Sequence, residues 1–135
     1  LPLPCSFSYY GKRDGALVKS DVRAVYEKGS ADIKAKILSR LRILASLRRV
    51  EWHENYLKKL SGACDGLWEI RFKADNVQQR PLGYFANDTE FVILFWATER
   101  GNKFVPKKAC EIALQRKAEV LTNPELKHGL WIALE

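Results

Sequence analysis

In the stretch Leu67-Trp68-Glu69-Ile70-Arg71-Phe72-Lys73, apolar and charged side chains alternate from Trp68 to Lys73. Successive side chains of an extended chain point to opposite faces of a sheet. Trp68, Ile70 and Phe72 are therefore expected in the core, and Glu69, Arg71 and Lys73 on a charged outer face. Ala74-Asp75-Asn76 reads as a hairpin turn, Val77 to Phe85 as the next strand, Asn87-Asp88 as a second turn, and Phe91 to Ala97 as a third strand. The third strand is apolar on both faces, which places it at the centre of the sheet or beneath helices on both sides. The three make an antiparallel meander.

The middle strand of that meander is unusual. Gln78-Gln79-Arg80-Pro81-Leu82-Gly83-Tyr84-Phe85 carries a cation, a proline and a glycine, the last two being residues that weaken strand interiors. A bulge or an unpaired edge tolerates Pro81, and Gly83 permits close backbone approach. If Pro81 leaves the register intact, Gln78, Arg80, Leu82 and Tyr84 share one face.

Working toward the N-terminus, Ser6 to Tyr10 reads as a strand that pairs into the main sheet, with turns at Gly11 and Gly15. Val18, Val22, Val25 and Tyr26 recur at helical spacing, so a helix is expected from Leu17 to Lys28, stopped by Gly29. Ser30 is a cap for a longer helix from Ala31 to Arg49, whose apolar stripe is Ile33, Ile37, Leu41, Leu44 and Leu47. Its basic residues lie largely off that stripe, as on a solvated face. Further helical turns are expected from Trp52 to Leu60, before Ser61-Gly62 breaks the pattern. Toward the C-terminus, Pro106 is placed as the first residue of a last helix carrying Ala109, Ile112, Ala113 and Val120, which Asn123-Pro124 ends. The apolar tail Leu126 to Glu135 is expected to dock on the domain or on another chain. The fold class is α+β, with helices packed against the meander in a single domain over residues 1–135.

The 23 Lys and Arg against 16 Asp and Glu give a net charge of +7, which suits an anionic partner: nucleic acid, an anionic membrane or an acidic protein. No run of 18 or more apolar residues is present to serve as a transmembrane helix. The opening Leu-Pro-Leu-Pro-Cys lacks the basic and apolar regions of a signal peptide. Cys5, Cys64 and Cys110 are odd in number and widely separated, so free thiols in a reducing cytoplasm are expected. No metal site is expected, since C-x-x-C spacing is absent. Charge collects on the outward face of the meander and beyond it: Arg71 and Lys73, Arg80, then Arg100 and Lys103, then Lys107 and Lys108. Cations beside an aromatic such as Tyr84 or Phe85 are what RNA requires, to neutralise phosphates and stack an unpaired base; a solvated charged face is the plain alternative.

Leu67-Trp-Glu-Ile-Arg71, Arg80-Pro-Leu-Gly-Tyr-Phe85, the apolar strand 91–97, Glu99-Arg-Gly-Asn-Lys-Phe104 and the helix opened by Pro106 together resemble the RelE/ParE toxin superfamily. More narrowly they resemble its phage-derived HigB-like branch, most clearly over residues 66–120. The resemblance implies a RelE-like fold and a toxin of a type II toxin-antitoxin pair. Its activity would be ribosome-dependent cleavage of mRNA by attack of a ribose 2′-OH on the adjacent phosphate, with no cofactor and no metal. It implies an antitoxin, mRNA and the ribosome as partners, a homo-oligomer or a hetero-oligomer with the antitoxin, and no membrane. It also implies catalytic roles for Arg71, Arg80, Arg100 and Tyr84, and RNA contacts from Lys73, Lys103, Lys107 and Lys108. Phe104 and Val105 stand where related enzymes place a late tyrosine, which leaves Tyr84 or the tail's His128 to substitute. His53 and His128 otherwise read as surface histidines, and Glu69 as an ion-pair partner of Arg71 or of a neighbouring strand. Two other readings accompany the toxin nuclease: a ParE-like toxin of DNA gyrase, and a non-catalytic phage accessory protein that binds nucleic acid or protein.

Overall fold

The computed structural model of the protein describes residues 3–135; Leu1 and Pro2, part of the expected domain, lie outside the described residues. Strand β1 (Ser6–Tyr10) leads into a small separate hairpin of β2 (Lys12–Asp14) and β3 (Leu17–Lys19). Helix α1 (Asp21–Glu27) follows, capped by Ser20, whose hydroxyl accepts the Arg23 N–H. The helix expected from Leu17 thus begins only at Asp21, because Leu17 and Val18 are paired across to Asp14 and Arg13. Ser30 caps α2 (Ala31–Ala45) as the sequence implies, accepting the Ile33 N–H at 3.1 Å. That helix ends at Ala45 instead of Arg49.

The expected helical turns over Trp52–Leu60 are replaced by a single 3-10 turn at Arg49–Glu51 and by strand β4 (Leu57–Lys59). Leu57 is buried opposite Ile70 of β5 (Trp68–Ile70), so its apolar side chain serves a sheet edge. The chain continues through β6 (Phe72–Ala74), β7 (Val77–Asn87), β8 (Glu90–Arg100) and β9 (Lys103–Val105). Asp75 and Asn76, both with φ near +60° (52° and 60°), make the β6–β7 turn, as primed hairpin turns require. Gly101 (φ 55°) and Asn102 (φ 62°) repeat the arrangement between β8 and β9.

Pro106 does not open the last helix. Val105 is still paired with Thr98, the Val105–Pro106 peptide is cis, and the chain turns before α3 (Ala109–Thr122) begins. The tail then adds β10 (Lys127–Gly129), antiparallel to β1. The main sheet is eight-stranded, in the order β10-β1-β8-β7-β5-β4, with β6 also on β7 and β9 also on β8. Its β4–β9 part is antiparallel throughout, but β1 runs parallel to β8, so the sheet is mixed.

Two apolar cores lie on opposite faces, as alternation dictates. Phe7, Tyr9, Phe72, Ile93 and Trp96 pack with Ile37, Leu41 and Leu44 of α2. Tyr10, Leu82, Tyr84, Leu94 and Ala97 pack with Ala109, Ala113 and Val120 of α3. Cys64 and Cys110 form a disulfide, with Cα atoms 5.3 Å apart. This corrects the expectation of three free thiols, since folding joins residues 46 apart in sequence, and only Cys5 remains free. A reducing compartment therefore loses its support from the thiol count. Among the described residues, no helix is long and apolar enough to cross a membrane.

Candidate functional site

Proline cannot donate to a strand ladder, and the structure accommodates Pro81 by breaking the strand opposite it. Glu69 pairs with Leu82 and Phe72 with Gln79, while the intervening Ile70–Arg71 segment leaves β7. The Arg71 N–H turns instead to the Tyr56 carbonyl at 2.8 Å. The single strand expected over Leu67–Lys73 is therefore two, β5 and β6, hinged at Arg71. On the β8 side, the register slips between Leu82 and Gly83. A Cβ on Gly83 would lie 2.1 Å from the Val92 carbonyl oxygen and 2.6 Å from the Phe91 ring, so glycine is required there for close approach.

Cross-strand partners share a face. Lys73, Gln78, Glu99 and Phe104 form one row across β6, β7, β8 and β9, and Arg80 lies beside it, opposite Ala97. Arg80 is nevertheless buried, at 3% exposure, as is Glu69 at 5%. This corrects the expectation that Glu69 faces outward with Arg71 and Lys73. The Arg80 Nε lies 2.8 Å from Glu69 Oε2, but its N–H is directed to Glu99 Oε1 at 3.4 Å. Glu69 Oε2 receives no hydrogen bond, so the shorter contact is one of charge alone. The Arg71 Nε stands 3.5 Å from the same oxygen. Desolvation raises the Glu69 carboxyl above its ordinary 4.5, against the pull of Arg80 and Arg71. The remaining Arg80 nitrogens also point to protein: Nη1 donates to the Gln79 carbonyl at 2.8 Å and Nη2 to Gln78 Oε1 at 3.3 Å.

A cavity of about 220 Å³ opens here, lined by Asn55, Arg71, Phe72, Gln78 and Arg80. Asn55 comes from the loop before β4, and sequence periodicity gave no reason to select it. Gln78 was placed on the right face but not recognised as a site residue, because an amide carries no charge signal. The structure brings Arg71, Lys73 and Arg80 together on this face. It does not bring Tyr84 with them: its ring is 6% exposed under α3, with Lys117 Nζ 5.2 Å from the ring centroid. Arg80 and Tyr84 therefore do not meet at one site, since the α3 core covers the Tyr84 ring while Arg80 lines the cavity.

Arg100 pairs with Lys103 and follows Glu99, so alternation turns this exposed pair to the opposite face. Lys107 and Lys108 are exposed in the turn before α3. His128 lies in β10, its Nε2 2.9 Å from the Gly11 carbonyl. Three strand steps separate β10 from β7, roughly 14 Å at the usual strand spacing. His53 is exposed, and its Nδ1 accepts the Asn55 N–H at 3.0 Å.

Residues 27–118, more than half of the chain, match the family described as "Phage derived protein Gp49-like (DUF891)", and the chain belongs to this family. The match reaches upstream of the sequence motifs to take in α2 and β4, and it includes every residue lining the cavity. No match was found among curated proteins or among solved structures.

Proposed function

From membership of the phage-derived Gp49-like family, we propose that this protein is the toxin of a type II toxin-antitoxin pair that cleaves mRNA on the ribosome. The HigB-like motifs quoted above support the narrower assignment. The observation that carries the reading is the small open cavity lined by Arg71 and Arg80, with Lys73 beside its Gln78 across the strand pair. In the cleavage step the ribose 2′-oxygen bonds to phosphorus and the 5′-oxygen leaves, so one proton is lost and one gained while charge builds on the phosphorane. Arg71 and Lys73 supply cations to the phosphate. Arg80, with its nitrogens committed to Glu69, Glu99, Gln78 and Gln79, acts through its neighbours. Glu69, buried behind the cavity and held beside two guanidinium groups, positions Arg71 and Arg80 without meeting the RNA itself. The exposed Arg100, Lys103, Lys107 and Lys108 serve flanking RNA or the ribosome. An acidic antitoxin segment suits the same charge.

The test is translation-coupled mRNA cleavage by wild type and by Arg71→Ala, with thermal unfolding followed on both. Loss of cleavage by at least about 100-fold at unchanged Tm is expected, as for removal of one group stabilising transition-state charge. Undiminished cleavage by Arg71→Ala would remove the assignment, and inhibition of gyrase without cleavage would replace the target.

A further inference from the structure

We infer that the side-chain amide of Gln78, locked in orientation by Arg80, is a fixed N–H donor to a phosphodiester oxygen of the bound RNA. The inference rests on the RNA-directed reading above and adds to it a residue and a ligand atom. Arginine carries donors only, so the Gln78 atom 3.3 Å from Arg80 Nη2 is the carbonyl oxygen Oε1. That contact fixes which end of the amide is which, and leaves both Nε2 hydrogens for other partners. Arg80 is itself fixed by the Gln79 carbonyl and by the two glutamates. Gln79 is locked by the same logic, because Trp96 Nε1 can only donate and lies 2.9 Å from its Oε1. The two adjacent glutamines thus have opposite uses: Gln79 is buried and bonded inward at both ends, to Trp96 and to the Ala74 carbonyl. Gln78 is half-buried on the lining of the cavity.

The chemistry of that lining selects the ligand. Arg71 brings guanidinium donors, Gln78 brings its free amide hydrogens, Lys73 stands beside Gln78 across the strand pair, and Arg80, its own donors taken by protein, adds positive charge to the wall. Neither Glu69 nor Glu99 lines the cavity. A receptor this rich in donors suits a ligand that only accepts, and the non-bridging oxygens of a phosphodiester do so. Because the amide is held in place before binding, little side-chain freedom is lost when the phosphate arrives.

The test follows the ¹⁵N side-chain amide resonances of the 135-residue chain during titration with an RNA trinucleotide, 2′-O-methylated to block cleavage, and separately with inorganic phosphate. With the trinucleotide, the Gln78 Nε2 pair is expected to shift while the Gln79 pair stays fixed. Gln78→Leu should weaken binding about tenfold, the usual effect of losing one hydrogen bond to a charged group. Gln78→Glu should weaken it further by facing a carboxylate to the phosphate. Movement of the Arg71 and Lys73 backbone amides with an unmoved Gln78 pair would overturn the inference and leave RNA binding standing. Shifts with inorganic phosphate alone would overturn the assignment to RNA, and no shift with either probe would overturn both. A Gln78 shift in a protein that fails to cleave ribosome-bound mRNA would uphold the inference and sink the nuclease reading.

Discussion

Arg71 and Arg80 carry the same charge, yet substitution should separate them. Arg80 is buried against Glu69, so Arg80→Ala removes the nearer of the two cations beside a buried carboxylate, leaving only the half-buried Arg71 at 3.5 Å, and is expected to cost about 3 kcal/mol, read as a large fall in Tm. Arg71 is about a third exposed along its side chain, and Arg71→Ala should leave Tm close to wild type while removing RNA activity. Loss of activity in Arg80→Ala therefore speaks to folding as much as to chemistry. Glu69 gives a second expectation. Its carboxyl is raised in the folded state, chiefly by desolvation. Its favourable contribution is thus fully present below about pH 4.5, the unfolded value, and is lost as pH rises through the raised folded one. Denaturant titrations between pH 4 and 7 should show a smaller fall of stability with rising pH in Glu69→Gln than in wild type; an unchanged profile would refute the assignment.

At the scale of the element, β7 explains its own composition. Pro81 faces the gap between β5 and β6, and Gly83 faces the Val92 carbonyl where the register slips. Gly83→Ala should destabilise the fold by about 1–3 kcal/mol or more, since backbone is what its Cβ would meet; an unchanged Tm would show that β8 can yield. Alternation read correctly the apolar face of Trp68, Ile70 and Phe72, the hairpin at Asp75-Asn76, and the apolar β8. It could not reveal that a proline in one strand breaks the neighbouring one, because that effect acts between strands. Short elements were missed for a related reason: β4 and β9 have three residues each, too few for a period to appear. The cations of the site were visible in the sequence as charge, whereas the burial of Arg80, the covering of Tyr84 and the part played by Asn55 and Gln78 depend on tertiary packing.

For the whole molecule, the Cys64–Cys110 disulfide joins the turn before β5 to the first turn of α3 across 46 residues. Replacing both cysteines by serine should lower stability by about 2–4 kcal/mol, through the freedom returned to the unfolded chain; an equal Tm for the reduced wild type and the oxidised one would exclude this. The placement of β1 has a different consequence, in time. The hairpins β6–β7, β7–β8 and β8–β9 pair near neighbours, whereas β1 joins residues 90–93 in parallel and then receives residues 127–129. Closing such long loops is slow compared with forming hairpins. The site-bearing strands can therefore form early, but the sheet that supports them is completed only when the two ends of the chain meet, so assembly should finish at the edge farthest from the cavity.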